Sequence, residues 1–255
     1  MSRSARDVAA GVGVVFAGVF DQLSAWRAPI EHLIATSPEV RPAELDGTVA
    51  DLVLPRLVEH DPLLVGAGFI ADGEIVRGRD VHFAWWLGPL DANPVLGSTT
   101  EPTRLDLTTR GYTEYLRDFR ALEWYAIPAS TRHAHVTGPY VDHLCTCDYI
   151  LTLTMPVHAG GAGDAGDAAG DARMVGVVGA DVSVRGLERE LLAELLAVPE
   201  PLALVNEAGR VVVSTEPTLQ VGQLAGAWQE AEACPGTPFR VLVAPTTGRA
   251  ASGSN

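Results

Sequence analysis

The feature that most constrains the fold is a pair of apolar segments, residues 149–157 and 174–182, on either side of a loop of small residues. Both segments are short and rich in Val, Leu and Thr, which is typical of β-strands. Residues 159–172 between them are only Gly, Ala and Asp, a composition typical of a surface connection. The pattern therefore predicts an antiparallel hairpin at the centre of a sheet, around which the rest of the chain must pack.

Helical periodicity precedes the hairpin. Residues 6–36 carry an apolar stripe at spacings of three and four, formed by Val8, Val12, Val15, Val19, Leu23, Trp26, Ile30 and Leu33. This stripe predicts one long helix that packs within the chain, and pairing with a second copy of the helix is the alternative. A second helix is predicted over residues 42–59, which begin near Pro42.

The remaining segments alternate between strand and helix patterns. Strands are predicted at 63–71, 81–87, 105–107, 202–206, 211–214 and 239–243, and helices at 112–120, 184–197 and 220–232. This order predicts an α+β fold, in which a long N-terminal helix is followed by a central antiparallel sheet flanked by helices. We expect residues 1–40 to form the helical lead, 41–245 a single ligand-binding domain, and 246–255 a disordered tail.

Charge and composition exclude several classes of partner. The formal net charge is −14, and no basic patch is visible, so we expect no direct binding to nucleic acid or to an anionic membrane. The apolar run 8–20 is shorter than a membrane span and lacks a signal-peptide cleavage pattern. We therefore expect a soluble, cytoplasmic protein. Three cysteines do not make a disulfide framework.

Enzyme and cofactor signatures are missing from the sequence. There is no P-loop, nucleophile elbow, zinc-protease motif or dinucleotide fingerprint. His143, Cys145 and Cys147 alternate along one segment, but metal sites usually have wider spacing. We expect no metal, no cofactor and no catalytic residues.

Aromatic rings and carboxylates concentrate in and around the hairpin. The expected ligand-binding residues are Trp86, Trp124, Tyr125, Tyr140, Asp142 and Asp181. Aromatic faces and carboxylates together suit a cation or an ammonium group, through cation–π attraction and charge pairing. One alternative is an enzyme that uses the same pocket, with His143 or His135 as base and Asp142 or Asp148 orienting it. Another is an interaction module that pairs through the first helix.

The segments around these residues, including WY, GPYVD, YILTLTMPV, GVVGADV and LVNEAGRVVVST, resemble the PDC-type Cache sensor domains of bacterial receptors. The resemblance implies a PAS-like sensor that binds a small ligand between the sheet and its covering loops. It also implies that an aromatic pair, a Tyr-x-Asp and a later Asp hold a ligand amine. These positions correspond here to Trp124 with Tyr125, Tyr140 with Asp142, and Asp181.

Two departures from the family pattern shape the expected function. Amino-acid-binding members carry an arginine two residues before the tryptophan, and this chain has Leu122 there, with Arg120 two residues further upstream. The departure favours an amine without a carboxylate within the broader class of amines and amino acids. The chain also shows no fused signalling domain, so we expect it to signal through a separately encoded regulator or through a homodimer formed by the first helix.

Overall fold

The computed structural model describes residues 3–37, 39–90, 97–105, 118–142, 146–160, 173–226, 228 and 230–244 of the 255-residue chain. Four sequence predictions fall wholly or mostly outside these ranges: the strand at 105–107, the helix at 112–120, the Gly/Ala/Asp loop and the tail at 246–255.

The described elements follow the predicted order of helices and strands. The helices are α1 (Ala5–Thr36), α2 (Pro42–Leu57), α3 (Glu123–Thr131) and α4 (Val184–Leu196), with a short 3₁₀ turn at Phe119–Ala121. The strands are β1 (Leu64–Val76), β2 (Arg79–Leu87), β3 (Thr103–Arg104), β4 (His135–Val141), β5 (Tyr149–Ala159), β6 (Arg173–Ser183), β7 (Leu202–Val205), β8 (Val211–Ser214), β9 (Glu230–Ala233) and β10 (Arg240–Val243). The α+β class is confirmed.

The predicted hairpin is the centre of a six-stranded antiparallel sheet. Its order is β3-β2-β1-β6-β5-β4, and β5 pairs with β6 along most of its length. On the other side of β6, Gly66 and Gly68 of β1 lie opposite Asp181 and Gly179. Both central strands are almost wholly buried, which explains why they read as continuous apolar runs.

The contacts divide the chain into two compact units. One consists of residues Ala17–Leu187 and holds the six-stranded sheet with α2 and α3. The other combines Met1–Phe16 with Glu188–Asn255 and holds a four-stranded sheet of order β8-β7-β10-β9. In this second unit the ring of Phe16 contacts the ring of Phe239, with centroids 4.9 Å apart. The domain boundaries at 40 and 245 stay a prediction.

The apolar stripe of α1 is buried against the chain itself. Val8 and Val12 belong to one unit and Leu23, Trp26 and Ile30 to the other, and all five are buried. Most of the stripe is therefore buried within a single chain, and pairing of the helix with a second copy stays a prediction. The side of α1 that stays exposed carries small residues and includes Val14, which is 73% exposed.

Three elements differ from the sequence predictions. The segment 220–232, expected to be a helix, ends in β9, which pairs with β10, and Gly222 and Gly226 adopt positive φ before it. Strand pairing overrides the local helix propensity of Glu and Ala there. Helix α3 was missed because it is only nine residues long and contains Pro128, which hides a helical signal. Strand β4 was also missed.

Candidate functional site

One face of the central sheet gathers most of the predicted binding residues. Side chains alternate along a strand, so residues two apart share a face. The register places Thr152, Asp181, Gly66 and Leu87 in one row across β5, β6, β1 and β2, and Thr154, Gly179, Gly68 and Trp85 in the next. The opposite face carries His82, whose ring Nε2 bonds to Asp46 of α2 at 2.8 Å.

Trp85 lies across the glycines of this face. A Cβ added to Gly66 would lie 3.1 Å from the indole Nε1 of Trp85, and one added to Gly179 would lie 3.3 Å from its Cη2. The ring therefore reaches from β1 to β6 over positions that have no side chain. The Cβ of Gly66 would also lie 2.9 Å from Oδ2 of Asp181. The indole nitrogen and the carboxylate thus both lie over Gly66.

Asp181 is a buried carboxyl at the end of the hairpin, with only 8% of its surface exposed. The hydroxyl of Thr152 donates to its Oδ1 at 2.6 Å. Burial and repulsion by Asp142 raise the pKa of Asp181 to about 8, against the lowering effect of the Thr152 bond. A carboxyl in these surroundings gains a proton readily unless a cation lies beside it.

Tyr140 extends the hydrogen bonds of Asp181 toward strand β4. Its hydroxyl lies 2.5 Å from Oγ1 of Thr152. Because the single hydroxyl proton of Thr152 is donated to Asp181, Tyr140 donates to Thr152. The three side chains form a chain of hydrogen bonds in which both hydroxyl protons point toward the carboxylate. This orientation stabilises the ionised form of Asp181.

Asp142 lies in the loop that follows β4. Its Oδ2 accepts bonds from the backbone N–H of Thr146 at 2.9 Å and from the Thr146 hydroxyl at 3.2 Å. The backbone N–H of Cys147 donates to the carbonyl of Asp142 at 2.8 Å, and Cys147 has a positive φ of 54°. The loop thus holds Asp142 where its charge acts on Asp181. Cys147 lies in this turn, outside the strands.

Helix α3 covers the same face with the aromatic pair. The hydroxyl of Thr154 donates to the carbonyl of Trp124 at 2.7 Å, which attaches α3 one row away from Asp181. The Trp124 ring stacks on Phe119 with centroids 6.1 Å apart, and the Tyr125 ring contacts Phe119 edge-on at 4.9 Å. Trp85, Phe119 and Tyr125 belong to one apolar cluster, against which Trp124 and Leu122 pack.

Arg120 is engaged with two aspartates at the far end of β1. Its Nε lies 3.0 Å from both oxygens of Asp72, and its Nη2 lies 3.1 Å from Asp80. The hydroxyl of Tyr125 also donates to Asp72. Burial raises the pKa of Asp72, but the bonds from Arg120 and Tyr125 outweigh it and lower the pKa overall. Burial and this same bond raise the pKa of Tyr125.

The structure therefore divides the predicted set into two groups. Asp72 lies six residues along β1 from Gly66, a separation of roughly 20 Å at the rise of a strand. Tyr140, Asp142 and Asp181 come together at one end, whereas the Tyr125 hydroxyl bonds at the other. Trp124 lies on the helix that covers the face between them.

Trp86 does not lie on the sheet face that carries Asp181. It follows Trp85 in β2 and so faces the other side of the sheet, where it lines an open depression of about 440 Å³ beside α2. The other residues of that depression are Ala50, Asp51, Leu54, Pro55, Val58, Glu101 and Pro102. Trp85 takes the place expected for Trp86. The glycines at 66, 68 and 179 leave room for a large ring on this face, and they were the signal in the sequence that could have indicated Trp85.

The acid–base pairs considered for an enzyme are not assembled among the described residues. His135 bonds to Glu123 at 2.9 Å, and Asp148 pairs with Arg185 at 2.8 Å. His143 and Cys145 lie outside the described ranges. Within those ranges no group of three His, Cys, Asp or Glu side chains could hold a metal ion.

Comparison with known proteins identifies the fold but no family. No family model and no curated protein matches the chain. Among solved structures, the ligand-binding domain of the Pseudomonas aeruginosa amino acid chemoreceptor PctC, in complex with GABA, has 17% identity and a TM-score of 0.56, over 93% of this chain and 96% of that one. The domain of the Pseudomonas fluorescens chemoreceptor CtaA, in complex with L-valine, has 18% identity and a TM-score of 0.56, over 95% and 94%.

A third similar structure is the extracellular domain of a protein described as a histidine kinase, with 15% identity and a TM-score of 0.61, over 95% of this chain and 92% of that one. The first two structures are ligand-binding domains of chemoreceptors, and the third is an extracellular domain. The chain thus has the fold of Cache-type ligand-binding domains, as the resemblance implied.

The predicted cytoplasmic location is contradicted. Domains with this fold include extracellular domains of sensor kinases. Moreover, the apolar run at the N-terminus belongs to a 32-residue helix, α1, which is long and apolar enough to cross a membrane. An 18-residue window of α1 has a mean hydropathy of 1.6, and 39% of that window is buried in the structure. The length of this apolar segment was therefore underestimated when residues 8–20 alone were considered.

Proposed function

We propose that this chain is the ligand-binding domain of a sensor that recognises a small organic ammonium ion lacking a carboxylate. The observation that carries the proposal is the buried carboxyl of Asp181, on which the charge of Asp142 acts and which lies over Gly66 together with the indole of Trp85. Two carboxylates attract an ammonium group, and an aromatic ring beside them adds cation–π attraction.

Local charge favours a cation over a zwitterion. The chain contains no lysine, so a ligand carboxylate would need an arginine or a histidine. Arg120 is bound to Asp72 and Asp80. Leu122, at the position where related amino-acid binders are expected to carry an arginine, packs in the apolar cluster. Of the described residues, a carboxylate brought into this site would meet Asp142, Asp181 and apolar side chains.

We propose that the sensor signals to a separately encoded regulator, with a homodimer as the second route. The stripe of α1 first considered for dimerisation is buried, so a dimer would use the exposed side that carries Ala10 and Val14. Sedimentation of the wild type and of Val14→Glu tests this route: a dimer that dissociates in the variant supports it.

Calorimetric titration with matched ligands tests the choice of ligand. L-valine and isobutylamine differ only by a carboxylate, as do GABA and n-propylamine. We expect both amines to bind and to bind at least about tenfold more tightly than their carboxylate-bearing partners, because an unpaired ligand carboxylate costs more than 1 kcal/mol. Tighter binding of L-valine or GABA would reject an amine-only site.

Two variants locate the site on the sheet. Asp142→Asn and Asp181→Asn each keep the side-chain size and remove a charge, so each should weaken isobutylamine binding. Asp51→Asn is the matched control, because Asp51 lies on α2 at the other face of the sheet. Equal weakening by all three substitutions would indicate a general charge effect and no site.

A further inference from the structure

Helix α2 carries two apolar rows, of which one is buried and the other is partly exposed. The buried row consists of Leu45, Val49, Val53 and Leu57. The second row lies one residue further along and consists of Ala50, Leu54 and Val58. Val58 is 55% exposed, although valine is among the residues that are most often buried. The second row therefore presents apolar surface beside α2.

This second row lines the open depression of about 440 Å³ on the face of the sheet opposite Asp181. Trp86 of β2 lines the same depression, and so do Glu101 and Pro102, which precede β3. Strand β3 is at the edge of the six-stranded sheet, where its Arg104 pairs with Trp86. The depression therefore lies beside α2 at an edge of the sheet, with an indole and aliphatic side chains in its lining.

Two carboxylates at the depression have no partner among the described residues. Asp51 and Glu101 line it, and no described side chain makes an ion pair or a hydrogen bond with either carboxylate. The neighbouring acids differ, because Glu44, Asp46 and Glu59 each pair with an arginine. The depression thus combines an apolar lining with negative charge that the described part of the chain does not neutralise.

The shape and charge of the depression favour one kind of occupant. An open depression contacts its occupant on one side only, so a free small molecule would stay mostly in water there, unlike in an enclosed ligand pocket. A segment of another protein gains further contacts around the depression, and protein interfaces commonly centre on aromatic side chains within a polar rim. The acids disfavour an anionic membrane or a nucleic acid. A protein segment with an apolar side chain next to Arg or Lys complements both features.

We propose that this depression is the docking surface for a basic, apolar segment of a partner protein. The apolar side chain of that segment packs on Trp86 and on the second row of α2, and its basic side chains pair with Asp51 and Glu101. The inference rests on the proposed function in one respect, namely that the partner is the separately encoded regulator. The ligand recognised on the opposite face of the sheet does not enter the argument.

An NMR titration with two short peptides tests the docking surface. The basic probe is acetyl-Arg-Leu-Leu-Arg-amide, and the matched acidic probe is acetyl-Glu-Leu-Leu-Glu-amide. The chain has five tryptophans, so the indole N–H signals are few, and Trp86→Phe identifies the signal of Trp86. We expect the basic peptide to shift this signal and the acidic peptide to leave it unchanged. Absence of a shift at millimolar basic peptide overturns the proposal.

Four variants at exposed positions locate the peptide. Val58→Ser removes apolar contact and Asp51→Asn removes a charge, so each should weaken binding of the basic peptide at least about threefold. The matched controls are Val14→Ser and Asp21→Asn, which make the same changes on the exposed side of α1 and should leave binding unchanged. Equal weakening by the controls would indicate general attraction to an acidic protein and overturn the docking surface.

Two further results would reject the proposed occupant. If Val58→Ser changes the sedimentation of the protein alone, the depression is a contact between copies of this chain. If excess isobutylamine displaces the basic peptide, the peptide binds at the face of Asp181. The outcomes also separate this inference from the proposed function. Amine binding without peptide binding overturns the docking surface alone, and peptide binding without amine binding overturns the ligand assignment alone.

Discussion

Replacing Asp181 by Asn should change how the stability of the ligand-free protein depends on pH. Asp181 is buried, and Asn preserves its size and its ability to accept from Thr152. The substitution therefore removes the titrating group while keeping the packing. Any change in pH dependence then comes from the carboxyl.

The raised pKa of Asp181 determines whether the free energy of unfolding rises or falls with pH. In the unfolded chain the carboxyl loses its proton near its ordinary pKa of 3.8, whereas in the folded protein it keeps the proton up to about pH 8. Between these values unfolding releases a proton, so the free energy of unfolding falls as pH rises. The fall is roughly 1.4 kcal/mol per pH unit for one proton, and it stops above about pH 8.

Urea unfolding of both proteins at about pH 5.5, 6.5 and 7.5 measures the effect. We expect the free energy of unfolding of Asp181→Asn, relative to wild type, to rise across the series by roughly 2.5 kcal/mol in total. Asp51→Asn should follow the wild type. Parallel pH profiles for wild type and Asp181→Asn would refute the argument that Asp181 is held protonated by burial and by Asp142.

Three further outcomes follow from the same sheet face. Trp85→Phe should weaken isobutylamine binding about tenfold in calorimetry, while Trp86→Phe on the other face should change it less than about threefold; the reverse ranking would place the site beside α2. Gly68→Ala should lower the free energy of unfolding in urea by about 1–3 kcal/mol, because its Cβ would press on the backbone of β2, whereas Gly47→Ala, in open space on α2, should be neutral or stabilising. Tyr125→Phe should cost about 1–2 kcal/mol of stability by removing the bond to Asp72 and leave isobutylamine affinity unchanged, and a large loss of affinity would contradict the division of the site.

Much of the fold was predictable because its signals are local. The helix α1 is encoded by a stripe that repeats every three or four residues, and the structure buries that stripe. The β5–β6 hairpin is encoded by two apolar segments and the loop between them. Segment 220–232 was mispredicted because its strand depends on pairing with β10, a partner outside the local window.

The sequence by itself determined that carboxylates and aromatic rings accompany the hairpin, because these residue types are visible without any contact. Only the tertiary structure decided which of them meet. A strand turns alternate side chains to opposite faces, so the choice between Trp85 and Trp86 depended on the register of β2 against β1. The partner of Arg120 was likewise settled by strands 40 and 48 residues away, which place Asp80 and Asp72 around its guanidinium. Strand register and long-range pairing are properties of the assembled sheet, and no local pattern contains them.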